Sequence, residues 1–404
     1  MFTPDPQTIL IVDDSMANIL ALRDALNEYK CIAATSGHQA LRFIHTQKQP
    51  DLILLDIIMD GMDGYEVCES LKSDAQTSEI PVIFLTAQSD PENLVKGFKV
   101  GAADFISKPF NIEELKARVA NQLKFKKSLD NNTIYLKSIE EIYDTITDSM
   151  YYAQKIQHAT LPHAAYLKRV LNEYFIFYKP RDIVSGDFYL VHQVENKKLL
   201  IAADCTGHGV PGALMSMMCM ALINEIVNVG KIYKPNEILN KLRSIIIHTF
   251  NRDGDNDISD GLDASIVLID PDTNLMEYAG ANSPIYIIRD GELIDFKGDR
   301  MPVGIYPSQT PFSNHKINLK DGDSLYMFSD GYADQFGGEA KRKMMLRHFK
   351  KLLVSNNHLI MSEQKEKLSN YFTDWMGHNE QVDDVLVLGY RFNPNDTLEL
   401  RHEN

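Results

Sequence analysis

Near the start of the chain, three carboxylates, a hydroxyl and an ammonium have the types and order needed to receive a phosphoryl group. Asp13 and Asp14 follow the apolar run Ile9–Val12, Asp56 follows Leu52–Leu55, Thr86 follows Pro81–Leu85, and Lys108 ends the stretch GAADFISK. Carboxylates gathered at strand ends form a hard oxygen site suited to Mg²⁺, which prefers carboxylates, water and phosphate. With Lys108 as a second cation, that ion would offset the charge of a phosphoryl group arriving at Asp56. The Thr86 hydroxyl would hydrogen-bond the new oxygens. Taken singly, each residue has a plainer use: Asp13 and Asp14 as a helix N-cap, Lys108 as a surface cation. Pro109, directly after Lys108, is a candidate cis-proline that shapes the loop.

A second acidic set lies downstream: Asp187 in IVSGDFY, Asp204 in IAADCTGHG, Asp330 in FSDGYAD, and Asp383 with Asp384 before VLVLGY. Asp204 and Asp330 each end an expected strand, whereas Asp383 precedes one. Several carboxylates without a His or Cys partner favour Mg²⁺ or Mn²⁺ over zinc. Two such ions about 4 Å apart can activate a water and clamp a phosphoryl group. Rival phosphoester and acyl chemistries lack their signatures. No cysteine has an arginine six residues on, and neither GxxxxGK[ST] nor GxSxG occurs.

The elements that must position these groups fall into distinct stretches. Over residues 1–124, short branched apolar runs alternate with helix-like segments such as Ser15–Tyr29 and Gly64–Ser73, the rhythm of a doubly wound α/β domain. Residues 125–165 carry no strand signal. Their positions Ile139, Ile142, Ile146, Ser149, Ala153, Ile156 and Thr160 step by three and four, a heptad seam that predicts a dimerising helix; Asn131-Asn132 could divide it. Packing of that helix on its own domain is the alternative. Residues 166–395 read as a mixed, mostly antiparallel α+β domain, with strands over Leu199–Ala203, Ala264–Ile269, Leu275–Ala279, Ile285–Ile288, Ser324–Phe328 and Val385–Tyr390. Residues 396–404 form a tail.

Composition narrows the functions further. The 404 residues are 44% apolar and carry a net charge of −15, which argues against nucleic-acid binding. The basic cluster Lys341, Arg342, Lys343, Arg347, Lys350 and Lys351 reads as a solvated helix face. Four scattered cysteines fit a reducing cytoplasm. The longest apolar helix-like run, Leu214–Ile223, is short of a membrane span, so no membrane insertion is expected. The methionines around it read as a core helix. Asp253, Asp255 and Asp257 imitate the start of a calcium loop but lack its glycine and glutamate, and read as an acidic flap.

The segments ILIVDDS, DLILLDIIMDGMDGYEVC, IPVIFLTA and GAADFISKPF closely resemble the receiver domain of response regulators over residues 7–124. That resemblance implies a (βα)5 fold with Asp56 as phosphoacceptor, Asp14 and Asp56 as the main Mg²⁺ ligands, and Asp13 assisting. It adds the main-chain carbonyl of Ile58 to the site and makes Thr86, Phe105 and Lys108 the switch residues. Asp60 departs from the pattern, in which proline is common there. The segments IVSGDFY, ADCTGHGVPGALMSM, YAGANSPIYIIRDG, MPVGIY, LYMFSDGYAD and QVDDVLVL resemble the PPM-type serine/threonine phosphatases, in their bacterial sporulation and stress-response branch, over about residues 170–393. This implies a β-sandwich flanked by helices. Asp187, Asp204, Asp330 and Asp383 then hold two Mn²⁺ or Mg²⁺ ions with the carbonyl of Cys205, and Asp334 matches a third, weaker metal position. Cys205, Ser185 and Ser329 replace commoner residues. His208 is a candidate proton donor, although its spacing from Asp204 favours a loop-stabilising role.

The expected protein is thus a cytoplasmic response regulator. A histidine kinase or phosphotransfer protein would phosphorylate Asp56 and so control a metal-dependent phosphatase. Its substrate would be a phosphoserine or phosphothreonine protein, with an anti-sigma-factor antagonist leading, and its assembly a homodimer through the linker helix. The alternative is a catalytically silent phosphatase fold that sequesters a partner.

Overall fold

The computed structural model describes residues 6–87, 91–250, 261–307 and 310–395, and divides into two compact units, Met1–Asp144 and Thr145–Asn404. Asp253, Asp255 and Asp257 lie outside the described residues.

The first unit alternates β1 (Thr8–Val12), α1 (Met16–Ala25), β2 (Lys30–Ala34), α2 (Gly37–Thr46), β3 (Leu52–Asp56), α3 (Gly64–Ser73), β4 (Val82–Thr86), α4 (Pro91–Lys99) and β5 (Asp104–Ser107). The strands form one parallel sheet in the order β2-β1-β3-β4-β5. Every residue of β1, β3 and β4 is buried, as expected of strands covered by helices on both faces. The order reverses beside β1, so the carboxyl ends of β1 and β3 open onto the crevice where α/β folds bind ligands. The helix Gly64–Ser73 begins with a capping box, in which Asp63 and Glu66 each satisfy the other's backbone N–H.

Helix α5 (Ile112–Thr160) runs unbroken for 49 residues, so Asn131-Asn132 does not divide it. A lone pair of weak helix formers costs well under the sum of the surrounding propensities. The seam residues Ile139, Ile142 and Ile146 are 62%, 60% and 55% exposed, so their own chain does not cover them.

The second unit contains α6 (Ala164–Val170), β6 (Tyr174–Lys179), β7 (Phe188–Val194), β8 (Lys197–Cys205), α7 (Gly209–Asn224), α8 (Pro235–Phe250), β9 (Gly261–Asp270), β10 (Leu275–Ala281), β11 (Ile285–Arg289), β12 (Glu292–Phe296), β13 (Val303–Gly304), β14 (His315–Asn318), β15 (Ser324–Phe328), α9 (Gly331–Asp334), β16 (Phe336–Gly337), β17 (Arg342–Lys343), α10 (Met345–Asn356), α11 (Met361–Met376) and β18 (Val385–Arg391). One antiparallel sheet runs β14-β10-β9-β8-β7 with β13 on β9, the other β12-β11-β15-β18-β6. Their inner faces share a core that includes Leu200, Val267, Ile287, Leu325 and Leu388. Outside the first sheet, α7 and α8 bury Met220, Ile223, Leu239 and Leu242. Outside the second, α10 and α11 bury Phe349, Leu353, Leu368 and Phe372. The result is a sandwich of two sheets between two helical layers.

Two expectations change here. The basic cluster is not one helical face: Lys341 occupies a turn and Arg342 and Lys343 form β17, with the helix beginning only at Met345. The apolar run around Leu214 belongs to a longer element, because α7 continues through a π-helical turn, Glu225–Val229. Among the described residues, Gly209–Val229 is the one helix long and apolar enough to cross a membrane, and half of that stretch is buried within the chain.

Candidate functional sites

In the first unit, β1 and β3 deliver their terminal carboxylates to one point. Among the described residues, Asp13, Asp14 and Asp56 alone offer three ligating atoms within 4.8 Å of one another. Asp13 is buried and held by the Asn18 side chain at 3.0 Å and the Ser15 N–H at 2.9 Å, while Asp14 is exposed. Lys108 donates to Asp56 at 2.7 Å and to Asp13 at 2.8 Å. Burial pushes the Asp56 carboxyl above its ordinary range, against the opposing pull of Lys108. Burial also works against the charged Lys108 ammonium, but its bonds to Asp13 and Asp56 outweigh it and the net shift is upward. The Lys108–Pro109 peptide is cis. The backbone of Ile58 hydrogen-bonds Asp56, which puts residue 58 at the rim. Thr86 ends β4 and is buried. Phe105 is buried against the rings of Phe84 and Phe98.

The second site depends on close backbone approach between three loops. A Cβ on Gly186 would meet the Gly207 oxygen at 2.7 Å, so the SGD loop and the loop after β8 can pack only through glycine. Asp384, buried at the head of β18, accepts from the N–H groups of Gly186 and Arg181, both at 2.7 Å. Asp187 is buried. One of its oxygens accepts from the Ser329 hydroxyl, and the other, Oδ1, is buried without a hydrogen-bond partner.

Asp204, Cys205, Thr206, Gly207, His208, Asp263 and Asp383 line a cavity of about 190 Å³. Desolvation, followed by repulsion from Asp204, raises the Asp187 carboxyl well above its ordinary value; for Asp204 the causes are desolvation, then Asp330 and Asp383. Asp330 rises to about 6, first through partial desolvation and then through repulsion from Asp334 and Asp383, although its side chain reaches solvent. Among the described residues no ion pair reaches Asp187, Asp204, Asp263 or Asp383. Asp334 is paired, accepting from Lys343 at 2.7 Å. Cys205 is buried in the core behind the strand end, with its thiol in hydrogen-bond contact with that of Cys219. His208 precedes α7 and places Nδ1 3.2 Å from Asp182.

This donor set fits a divalent cation. The groups are oxygen donors, they repel one another as they stand, and one buried oxygen has no partner. Among the described residues no three phosphatase carboxylates bring ligand atoms within 4.8 Å of one another, while the Asp187 and Asp204 side chains lie within hydrogen-bond reach. One contributor escaped the sequence reading. Asp263 sits mid-pattern in β9, facing away from the core residues Leu262 and Ala264, and period-two alternation is the signal that marks it. Asp384 and Ser329 adjoin Asp383 and Asp330 and act through hydrogen bonds that only the fold reveals.

Comparison with known proteins identifies both domains. The response regulator receiver domain family matches residues 9–120, and the Stage II sporulation protein E (SpoIIE) family matches residues 195–393. The SiaA-PP2C domain of Pseudomonas aeruginosa is 31% identical, covering 62% of this chain and 99% of that one with a TM-score of 0.58. A probable cyclic di-GMP phosphodiesterase of Vibrio cholerae is 47% identical over 135 residues, 32% of this chain and 30% of that protein. The phosphate regulon transcriptional regulatory protein PhoB of P. aeruginosa is 41% identical over 120 residues, 29% of this chain and 52% of that protein. The chain spans about half or less of the length of these two curated relatives. It belongs to the response regulators, with an N-terminal receiver domain joined to a C-terminal PP2C-type phosphatase domain of the SpoIIE family.

Proposed function

We propose that the chain is a phosphorylation-controlled, metal-dependent phosphatase for phosphoserine or phosphothreonine in a protein. The observation that carries this reading is the buried, unpartnered Oδ1 of Asp187 beside the mutually repelling carboxylates of Asp204, Asp330 and Asp383. Those four residues and the Cys205 carbonyl would hold two Mn²⁺ or Mg²⁺ ions, whose Lewis acidity activates water and screens phosphoryl charge. Ser329 and Asp384 keep the ligand loop in place, and the glycine contacts between loops exclude side chains from the basin. Hydrolysis adds water across the ester: the serine or threonine O–P bond breaks, and the leaving oxygen takes up a proton. His208 lines the cavity, and its 3.2 Å contact with Asp182 serves the loop-stabilising role that its spacing from Asp204 favours.

Control would begin at Asp56. Asp13, Asp14, Asp56 and the Ile58 carbonyl would hold Mg²⁺ there, which supplies charge neutralisation during phosphoryl transfer from a histidine kinase or phosphotransfer protein. Thr86, Lys108 and Phe105 would register the phosphoryl group. A homodimer through the uncovered seam of α5 would carry the change, and an anti-sigma-factor antagonist in the cytoplasm is the leading substrate. The test is phosphate release from a phosphoserine peptide and from a phosphorylated antagonist protein, with and without Mn²⁺. If Asp204→Asn leaves the rate unchanged, the two-metal reading is wrong. If wild type and Asp56→Asn respond alike to acetyl phosphate, the control is wrong.

A further inference from the structure

The last two turns of α5 do more than end a linker. Gln157, 1% exposed, leaves the solvated side of this helix and enters the phosphatase core. Its side-chain amide pairs with one residue in both directions. Nε2 donates to the Ser185 carbonyl at 2.6 Å, and Oε1 accepts from the Ser185 N–H at 3.1 Å. The second Nε2 proton goes to the Ser216 hydroxyl of α7 at 2.8 Å, whose single proton is shared between the Ala213 carbonyl at 2.9 Å and the Ser185 carbonyl at 3.1 Å. Each donor and acceptor of the buried glutamine amide is therefore engaged in a closed network, the condition under which buried polar groups specify one geometry.

Ser185 is two residues from Asp187, and its Oγ accepts from the Asp187 N–H at 3.1 Å. The path from the helix to the unpartnered Asp187 oxygen thus runs through one serine. From the other side Asp384 pins Gly186 at 2.7 Å, so the three-residue loop is held between α5, α7 and β18. The neighbour of Gln157 on the helix, Ile156, is 41% exposed and belongs to the uncovered seam. One short stretch of helix therefore shows its seam to the outside and its clamp to the ligand loop. Turning or shifting it to repack the seam must move the amide that fixes Ser185.

We propose that Gln157 is a positioning residue that sets the Asp187 loop for cation binding and makes that setting depend on the linker helix. The inference rests on the reading of Asp187 as a ligand of the metal centre. Its partners are outer neighbours of a ligand, whose loss ordinarily costs about tenfold or more in metal affinity.

The experiment uses the full chain and three measurements: Mn²⁺ affinity by calorimetry, KM and kcat for p-nitrophenyl phosphate at saturating Mn²⁺, and the ratio of rates with and without acetyl phosphate. Gln157→Leu is expected to weaken Mn²⁺ binding about tenfold, leave KM unchanged, and bring the acetyl phosphate ratio to about one. A folded variant that keeps either the wild-type Mn²⁺ affinity or the wild-type ratio overturns the inference. Should Gln157→Leu not fold, Ser216→Ala removes a single arm of the network; it is expected to shift both quantities the same way by a smaller factor, and no shift overturns the inference equally. Failure of the underlying reading looks different. Wild-type protein that neither binds Mn²⁺ nor hydrolyses the ester, or an Asp204→Asn variant with undiminished Mn²⁺ affinity, removes the metal centre itself.

Discussion

Asp204 and Asp263 stand directly opposite each other on the antiparallel strands β8 and β9, and both line the cavity that Asp383 also enters. Like charges in such a pair destabilise a sheet. Here burial raises the pKa of both carboxyls, and no described ion pair relieves either one. Asn282, at a φ of 51°, fixes the arrangement by donating to Asp263 Oδ1 at 2.9 Å. The pair makes sense as a site that awaits a cation. Asp263→Asn should therefore raise the melting temperature of the metal-free protein, by about 2–4 °C for a domain of this size, and shrink the further rise that Mn²⁺ produces. Thermal melts in EDTA and in Mn²⁺ check both shifts, and a lower metal-free melting temperature would contradict the argument.

The same electrostatics sets a pH dependence. Asp187, Asp204 and Asp330 hold their protons to higher pH in the folded state than the ordinary carboxyl value of 3.8, Asp330 up to about 6. Over the window from that unfolded value upward, the folded metal-free protein binds more protons than the unfolded chain, so its stability falls as pH rises. Solvent at Asp330 weakens its share, and the two more deeply placed acids contribute most. Urea midpoints in EDTA should drop between about pH 4.5 and 6.5, and Asp187→Asn should flatten that slope. An equal slope in the variant would assign the effect elsewhere.

Lys343 carries a third expectation. Its ammonium occupies the carboxylate of Asp334, the position the family resemblance links to a weak third metal, and it also feels the charges of Asp330 and Asp383. A tethered cation there competes with a diffusible one. Lys343→Ala should add a weak Mn²⁺ site to those of the wild type, read as a higher stoichiometry in equilibrium dialysis. Unchanged stoichiometry would mean that Lys343 does not guard the position.

How far the sequence could be read follows from how each signal arises. Strands β1, β3 and β4 are buried along their whole length, and a run of apolar residues announces that directly. The edge strand β2 is mostly open and contains Lys30 and two alanines, so no run marks it. Asp56, Asp204 and Asp330 end or follow such runs and were legible for that reason. The alternation of β9 marks Asp263 as facing away from the core, but its place opposite Asp204 comes from the register of β9 on β8, which no local pattern encodes. Gln157 reads as one more polar residue of a solvated helix until the fold brings Ser185 and Ser216, 28 and 59 positions away, around its amide.

The exposed seam of α5 gives the last prediction. Ile139, Ile142 and Ile146 lie on one face at steps of three and four, each more than half exposed, within a helix of 49 residues. Burying an isoleucine is worth about 1.5–3 kcal/mol, so three such residues per chain left in water are a substantial cost that a second copy of the helix would remove. The flanking Glu140 and Glu141 leave the rest of the surface charged, as a two-stranded seam requires. Wild-type protein should therefore scatter light with about twice the mass of the 45.9 kDa chain, and the double variant Ile142→Glu, Ile146→Glu with the mass of one chain. Because both residues are exposed, the variant should keep its fold and its hydrolysis of p-nitrophenyl phosphate while losing its response to acetyl phosphate. An unaltered mass would mean that the seam is not what joins two copies. A monomer that still responds would place the transmission within a single chain, and Gln157 would have to act without a partner helix.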